Sequence, residues 1–328
     1  MYTKQEYTVQ DYILMAQAAL EQYDFPGGGL DYLGKSDSVT FRVRTLAENP
    51  DILLKLHYSG GERRTSASIE SELIWLEALS RDTRLTLPTP VKNRKHELVT
   101  VIAYGTLEHL NVTCCRWVKG DLLDREPSPE EVTQLAELMS ALHQHAKQWE
   151  PPAGFVRPVY HRENLLSSLA QLQSQLPSGL FSTAQFNSLE SAANRIAEVI
   201  EQQPLTRDNY GIIHSDLHES NYVFCDGEPR PIDFSGCGYG FYLFDVAETF
   251  LHLSPVNRRT FLSAYARHNG LPPEYEHLLE SYFIWAILRN FAFLSANPVE
   301  HEELSRTIPY VIEHFCNKYL NGEPFLLN

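Results

Sequence analysis

Cysteine is scarce in this chain of 328 residues, and its five cysteines form no C-x-x-C pair. Because their number is odd and they are scattered, they indicate neither a disulfide framework nor a zinc site, and a reducing cytoplasm is the expected compartment. No apolar run approaches the roughly 18 residues of a membrane-spanning helix, and no basic segment followed by an apolar one opens the chain. We therefore expect a folded, cytoplasmic protein without a signal peptide.

Positive charge is also in short supply. Lys and Arg total 27 against 42 for Asp and Glu, which gives a net charge of -15. Such a charge repels nucleic acid and anionic membranes, so neither is expected as a partner. It favours a cationic partner, although an acidic surface that keeps the protein soluble explains the same excess.

The hydrophobic pattern of the sequence changes from Asp121 onwards. Before it, the pattern predicts helices over 8–23 and 65–79 and strands at 39–43, 52–58, 98–104 and 111–118. After it, helices dominate, at 128–146, 183–201, 255–268, 273–295 and 299–320, with one β island formed by GIIHSD, NYVF and RPIDF. We predict an N-terminal nucleotide-binding domain over 1–118 and a C-terminal catalytic and substrate-binding domain over 119–328.

GLDYLGKS, residues 29–36, matches the P-loop pattern G-x-x-x-x-G-K-[ST]. A P-loop requires a helix directly after the Lys–Ser pair, because the N–H groups of that helix bind the phosphates. Here a predicted helix precedes Gly29, and the strand-like alternation DSVTFRVRT follows. We interpret residues 29–36 as a loop between elements. A P-loop NTPase, in which Lys35 binds the nucleotide, is a separate hypothesis.

The stretch IIHSDLHESNYVF, residues 212–224, carries the clearest chemistry, together with PIDF shortly after it. Metal-dependent phosphoryl transfer needs a carboxylate that accepts the proton of an attacking hydroxyl, and oxygen ligands for Mg²⁺. Asp216 fits the base, while Asn221 and Asp233 supply a neutral and an anionic ligand. Turn formation is the structural alternative, since Asp and Asn favour turns. The ordered set of three favours catalysis.

Two histidines flank the proposed base. We interpret His214 as structural, with its ring bonded to the backbone so that it holds the loop, rather than as a metal ligand. His218 has no partner that the sequence identifies.

HSDLHESN with PIDF resembles the Brenner-type H-x-D-x-x-x-x-N and I-D-F motifs of the aminoglycoside phosphotransferase and choline kinase family, over about residues 30–250. The resemblance implies an α+β, protein-kinase-like two-lobed fold, with an N-terminal sheet-plus-helix lobe and a mainly helical C-terminal lobe. It implies ATP and Mg²⁺ as cofactors. It assigns the base to Asp216 and metal binding to Asn221 and Asp233.

Further parts of the family pattern fall on other residues. In kinase-like folds a strand lysine holds the phosphates and pairs with a helix glutamate, roles that Lys55 and Glu72 match. The segment NVTCCRWVKGDLL resembles the hinge, so the backbone from Cys115 to Trp117 is expected to bind adenine. FYLFDVAETF resembles the stretch in which an aspartate supports the catalytic loop, here Asp245.

The chain also departs from the family. No G-x-G-x-x-G covers the phosphates; GKSDSVTF stands in its place, with Ser36 and Ser38 as donors from hydroxyl or backbone groups. Ser235 follows IDF where the family often has an acidic residue. The activation segment of protein kinases, with its A-P-E end, is absent, which argues for a small-molecule acceptor.

The acceptor itself is not encoded in a readable pattern. Family acceptors include aminoglycosides, choline and homoserine. Glu280, Tyr282 and Trp285 could surround an amine through carboxylate and cation–π contacts, although a helix core explains the aromatics. A kinase-fold regulatory protein that binds nucleotide without turnover, and a protein serine/threonine kinase, are the alternative functions.

Overall fold

The computed structural model describes residues 7–25, 29–36, 38–46, 50–57, 65–105 and 107–328. Two features of the sequence analysis fall outside these ranges: Asp37 of GKSDSVTF, and Tyr58 at the end of a predicted strand.

The chain divides into two compact units. The first unit comprises Met1–Gly120, Pro151–Arg157 and Arg230–Ser235, and the second comprises Asp121–Glu150, Pro158–Pro229 and Gly236–Asn328. The chain thus returns to the first unit in two short segments, Pro151–Arg157 and Arg230–Ser235. The second segment contains Asp233, so this predicted metal ligand belongs to the first unit. That the units correspond to a nucleotide-binding and a catalytic domain stays a prediction.

The first unit is built on a five-stranded antiparallel sheet of strand order β1-β2-β3-β5-β4. Its strands are β1 Leu30–Lys35, β2 Val39–Val43, β3 Ile52–His57, β4 Thr100–Tyr104 and β5 Leu107–Arg116, and its helices are α1 Val9–Leu20 and α2 Ser66–Asp82. The predicted loop over 29–36 is wrong, since most of it is strand β1. In β3 the side chains alternate, so that Ile52, Leu54 and Leu56 are buried in the core.

Helix starts in both units follow their capping signals. Thr8 caps α1, and its side chain and that of Asp11 bond reciprocally to the backbone. In the second unit, Ser128 and Glu131 form the same capping box at α3 Pro129–Gln148, with Pro129 in the first turn. These local bonds fix where each helix begins.

The second unit is mainly helical. After α3 come α4 Arg162–Gln173, α5 Thr183–Gln202, α6 Tyr242–Phe250, α7 Pro255–Tyr265, α8 Tyr275–Ser295, α9 His301–Val311 and α10 Asn317–Asn321, with a π-helical turn at Ile312–Cys316. Strands β6 Tyr210–Ile213 and β9 Gly238–Phe241 pair antiparallel, and β7 Tyr222–Cys225 precedes β8 Glu228–Pro231, whose last two residues belong to the first unit. Helices α4 and α6 and strand β9 were not predicted from the sequence.

The five cysteines are free thiols. Cys225 is partly exposed, whereas the other four, Cys114, Cys115, Cys237 and Cys316, are buried. Within the described residues, no helix combines the length and the hydrophobicity needed to cross a membrane.

Candidate active site

Lys55 on β3 forms an ion pair within the first unit. Its Nζ lies 3.0 Å from Oδ1 of Asp233. Burial alone would lower the pKa of Lys55, but the charges of Asp233 and Glu72 raise it above its usual value. Burial alone would raise the pKa of Asp233, yet Lys55 and the backbone N–H of Ser235 bring it well below its usual range. Both groups are therefore ionised at neutral pH.

Glu72 on α2 is buried, and Arg157 is a cationic neighbour that the sequence analysis missed. The Arg157 guanidinium lies 3.6 Å from the Glu72 carboxylate and is itself buried. It also donates to the carbonyl oxygens of Ser68, at 2.9 Å, and Ser235, at 2.7 Å. Arg157 thus connects helix α2 to the segment that carries Asp233. The negative charge of Glu72 also raises the pKa of Lys55.

Ser36 and Ser38 lie in the connection between β1 and β2. The N–H of Ser36 donates to the carbonyl oxygen of Ser38 at 3.0 Å, and the Ser36 residue is exposed. Lys35 donates to the hydroxyl of Tyr12 at 2.8 Å. The segment that follows is strand β2 rather than a helix, so the arrangement of a P-loop is not formed here.

Cys115 and Trp117 lie at the end of β5 and just beyond it. Cys115 pairs with Leu53 in the sheet register and is buried, and burial raises the pKa of its thiol to about 12. The N–H of Trp117 donates to the carbonyl oxygen of Asp51 at 2.7 Å, and the guanidinium of Arg42 lies 4.7 Å from the centre of its ring. These contacts hold the predicted hinge segment in place from within the first unit.

Asp216 and Asn221 are directly bonded in the second unit, in the loop between β6 and β7. The Nδ2 of Asn221 donates to the carbonyl oxygen of Asp216 at 2.8 Å and to its Oδ2 at 3.0 Å. The Asp216 side chain is 42% exposed, so its carboxylate is open to a substrate. The backbone of this loop is unusual at Ser215, which has a φ of +62°. Non-glycine residues rarely adopt this conformation.

Asp245 on α6 anchors this loop through hydrogen bonds to its backbone. Its carboxylate accepts the backbone N–H groups of His214, at 2.9 Å, and Ser215, at 2.6 Å. His143 of α3 contributes a third contact, with Nε2 3.0 Å from Oδ2 of Asp245, and its Nδ1 lies 2.7 Å from the hydroxyl of Tyr265. Burial would raise the pKa of Asp245, but these bonds lower it below its usual value. Asp245 is therefore a buried anion that fixes the loop before Asp216.

Arg289 on α8 is the second cation that the sequence analysis missed. Its Nη2 donates to the carbonyl oxygen of Ser215 at 2.5 Å and lies 3.6 Å from Oδ1 of Asp216. Its Nε lies 3.0 Å from Oε1 of Glu248, a buried side chain on α6. Burial raises the pKa of Glu248 to about 8, in spite of the opposing charge of Arg289. The surroundings of Asp216 thus contain a fixed positive charge.

The residues considered for an amine have other roles. Tyr282 and Trp285 are buried, and both pack against Phe244. The carboxylate of Glu280 accepts the backbone N–H of Phe325 at 2.7 Å. The interpretation of the aromatics as helix core is therefore correct.

The predicted residues thus fall into two groups, each formed within one unit. Lys55, Glu72, Ser36, Ser38, Cys115, Trp117 and Asp233 belong to the first unit, and His214, Asp216, Asn221 and Asp245 to the second. The first group combines a lysine with carboxylates, and the second presents an exposed carboxylate on a rigid loop. Both are features of a phosphoryl-transfer enzyme.

Small-molecule kinases are among the known proteins to which the chain is similar. The chain is 23% identical to the amicoumacin kinase of Bacillus subtilis (strain 168) over 238 residues, which are 71% of this chain and 66% of that protein, just under two thirds of its length. The structure of the microcompartment-associated aminopropanol kinase superposes with a TM-score of 0.82 at 23% identity, covering 96% of this chain and 100% of the other. That of an amicoumacin kinase in complex with AMP-PNP, Ca²⁺ and Ami gives a TM-score of 0.77 at 18% identity, covering 97% and 95%.

The structural likeness shows that the fold is the kinase-like fold of these proteins, with a sheet-containing and a mainly helical part. The model of the phosphotransferase enzyme family aligns with residues 32–280, a range much longer than the two motifs. That range includes every predicted site residue, from Ser36 to Asp245. With well over half of its length matched, the chain belongs to the phosphotransferase enzyme family.

Proposed function

We propose that the chain is an ATP- and Mg²⁺-dependent kinase that phosphorylates a hydroxyl group of a small, amine-bearing molecule. Membership of the phosphotransferase enzyme family supports the reaction class. The observation that carries the assignment of residues is the bonding of Asn221 to Asp216, on a loop that Asp245 holds from below. This pairing orients an exposed carboxylate, which the reaction requires.

Asp216 is the base in this proposal. Its carboxylate accepts the proton of the acceptor hydroxyl while the hydroxyl oxygen forms a bond to the γ-phosphorus and the bond between that phosphorus and the β–γ bridging oxygen breaks. ADP leaves with the electron pair of that bond, and the proton passes from Asp216 to solvent. Positioning and charge supply most of the catalysis in such a transfer. The fixed backbone of Ser215 contributes by limiting the positions open to Asp216.

The nucleotide is assigned to groups of the first unit. Lys55 holds the α- and β-phosphates, and Glu72 keeps Lys55 charged, as its effect on the pKa of Lys55 supports. The backbone around Ser36 and Ser38 donates to the phosphates, and the backbone from Cys115 to Trp117 binds the adenine. AMP-PNP in the complex of the amicoumacin kinase is consistent with the use of an adenine nucleotide.

Asn221 and Asp233 fit the chemistry of Mg²⁺, which prefers oxygen ligands. The low pKa of Asp233 keeps its carboxylate anionic. The nitrogen of the Asn221 carboxamide is turned towards Asp216, so that the oxygen is the atom directed elsewhere. Each residue would contribute one oxygen ligand, and the ion would neutralise charge on the phosphates. The complex of the amicoumacin kinase contains Ca²⁺, another cation that prefers oxygen.

The amine of the acceptor is proposed on two grounds. Aminopropanol, the substrate named for one structural relative, carries an amine beside its hydroxyl. The net charge of -15 favours a cationic small molecule over an anionic one. Glu280, Tyr282 and Trp285 take no part in this proposal.

The test is an ADP-release assay with Mg-ATP and a panel of acceptors. The panel contains 1-amino-2-propanol, choline, homoserine, an aminoglycoside, neutral sugars and a generic protein. We expect release with one of the amino alcohols or aminoglycosides, and its loss both in Asp216→Asn and on removal of the metal with EDTA. Asp226→Asn is the matched control, since Asp226 is an exposed aspartate with a φ of +55°, which Asn also adopts.

Other outcomes separate the alternatives. Release with the protein acceptor alone would indicate a protein kinase. Binding of Mg-ATP without release in the presence of any acceptor would favour a regulatory nucleotide-binding protein. Full activity of Asp216→Asn would remove the assignment of the base.

A further inference from the structure

A cluster of two histidines and one glutamate lies beside the catalytic loop, within the second unit. His218 and Glu219 follow Asp216 in that loop, and His252 is the second residue after the end of α6. The Nδ1 of His252 lies 2.7 Å from Oε2 of Glu219, and the Nδ1 of His218 lies 4.0 Å from the same oxygen. One ligand atom from each of the three residues lies within 4.8 Å of the others.

These separations are close to those of a tetrahedral metal site. Bonds of about 2.0–2.1 Å at the tetrahedral angle place neighbouring ligand atoms about 3.3 Å apart. The distances of 2.7 and 4.0 Å lie on either side of that value, so rotations of the side chains suffice to reach it. The side chains of His218, Glu219 and His252 are 31%, 47% and 33% exposed, which permits such rotations and leaves access for a water as fourth ligand.

The ring of His218 lies between two hydrogen-bond donors. The N–H of Ser220 approaches its Nδ1 at 3.3 Å, and the Nδ2 of Asn221 approaches its Nε2 at 3.1 Å. Both neighbours are donors, whereas a neutral imidazole has only one nitrogen that accepts. Only one of the two contacts can be a hydrogen bond at a time while the ring is neutral.

The carboxylate of Asp216 lies near the second ring nitrogen of His218. The Nε2 of His218 lies 3.9 Å from Oδ1 of Asp216. Histidines that bind a metal through one nitrogen commonly donate the other N–H to a carboxylate, which orients the ring. Asp216 is placed to accept such a bond once the ring turns.

We propose that His218, Glu219 and His252 form a Zn²⁺ site. Two imidazoles and one carboxylate are a donor set that suits Zn²⁺, whereas Mg²⁺ takes oxygen ligands. The site is therefore distinct from the oxygen ligands proposed for Mg²⁺. It extends beyond the proposed kinase activity and is tested without it.

The test uses the metal-free full chain without nucleotide. Zn²⁺ is titrated by calorimetry, and Co²⁺ is titrated by visible absorption, which is intense for a tetrahedral ion. We expect one ion per chain, retained in millimolar Mg²⁺. Removal of a residue that hydrogen-bonds to a metal ligand typically lowers metal affinity about 10–100-fold. His252→Gln and Glu219→Gln remove a ligand itself, so each should lower the Zn²⁺ affinity at least about 100-fold.

The control is His268→Gln, which removes an exposed histidine elsewhere in the same unit and should leave Zn²⁺ binding unchanged. Circular dichroism confirms that each variant is folded. Equal Zn²⁺ affinity of His252→Gln and the unmodified chain would overturn the proposal, as would displacement of Zn²⁺ by Mg²⁺. The absence of any binding in the micromolar range would also overturn it and would leave the cluster as a hydrogen-bonded pair of Glu219 and His252.

Discussion

Arg289 donates through its Nη2 to the carbonyl oxygen of Ser215, the residue that precedes Asp216 in the chain. The same guanidinium lies 3.0 Å from Glu248 and 3.6 Å from Asp216. A single side chain of α8 therefore contacts the backbone of the catalytic loop and two carboxylates. Its removal should affect both stability and turnover.

Arg289→Gln should lower the free energy of unfolding by about 1.5–3 kcal/mol, because it removes the hydrogen bonds that a buried cation donates to Ser215 and Glu248. Displacement of Asp216 should lower kcat by about 100-fold. Urea unfolding and the ADP-release assay measure the two effects. The double variant Arg289→Met with Glu248→Leu is the informative companion, because it should recover stability without recovering kcat. Recovery of both would show that Arg289 has no positioning role.

Glu248 should make stability depend on pH. Its pKa is raised from 4.5 to about 8 in the folded protein. Between these values the folded chain binds more protons at Glu248 than the unfolded chain does, so this group makes stability fall as pH rises. Glu248→Gln removes that contribution. Urea unfolding between pH 5 and about 8 should show the variant gaining stability relative to the unmodified chain, with no further gain above that range. A constant difference across the range would contradict the raised pKa.

Lys55 and Lys35 should differ in their importance for the nucleotide. Lys55→Ala removes the cation assigned to the phosphates and should weaken Mg-ATP binding about 10–100-fold, the range for hydrogen bonds to charged groups. Lys35→Ala removes a contact to Tyr12 and should leave the affinity unchanged. Calorimetric titration of both variants decides the matter. The reverse result would favour a P-loop NTPase.

Arg157 should contribute strongly to the stability of the first unit. It is buried, lies 3.6 Å from Glu72 and bonds two carbonyl oxygens, so Arg157→Met should lower the free energy of unfolding by about 3–5 kcal/mol. The matched control is Arg162→Gln, which breaks an exposed pair with Glu201 and should cost about 1 kcal/mol or less. Similar losses in the two variants would mean that the burial of Arg157 adds nothing.

Local signals explain which elements could be predicted from the sequence. The capping box of Ser128 and Glu131 fixes the start of α3, and alternation identifies β2 and β3. Strand β1 escaped prediction because its sequence, with Gly34 at a φ of +153° and a bulge in its register, reads as a glycine-containing loop. The π-helical turn at Ile312–Cys316 carries no recognisable local signal.

The candidate site shows the same division. Asp216 and Asn221 occur in one short motif, so their proximity follows from spacing. Arg157 and Arg289 have partners distant in sequence, and nothing in a single sequence states which carboxylate a distant arginine will meet. The partner of Lys55 illustrates the difficulty further, because the structure pairs it with Asp233, while Glu72 acts on it through charge.

The cysteines of the chain have a practical consequence. Four of the five thiols are buried, and burial raises the pKa of Cys115 and of Cys316 to about 12. Thiolates are the reactive form, so these groups should resist alkylation in the native state. A maleimide fluorophore should therefore attach at Cys225, four residues after Asn221, in the unmodified chain. The label would give an optical reporter close to the catalytic loop without any cysteine being introduced or removed.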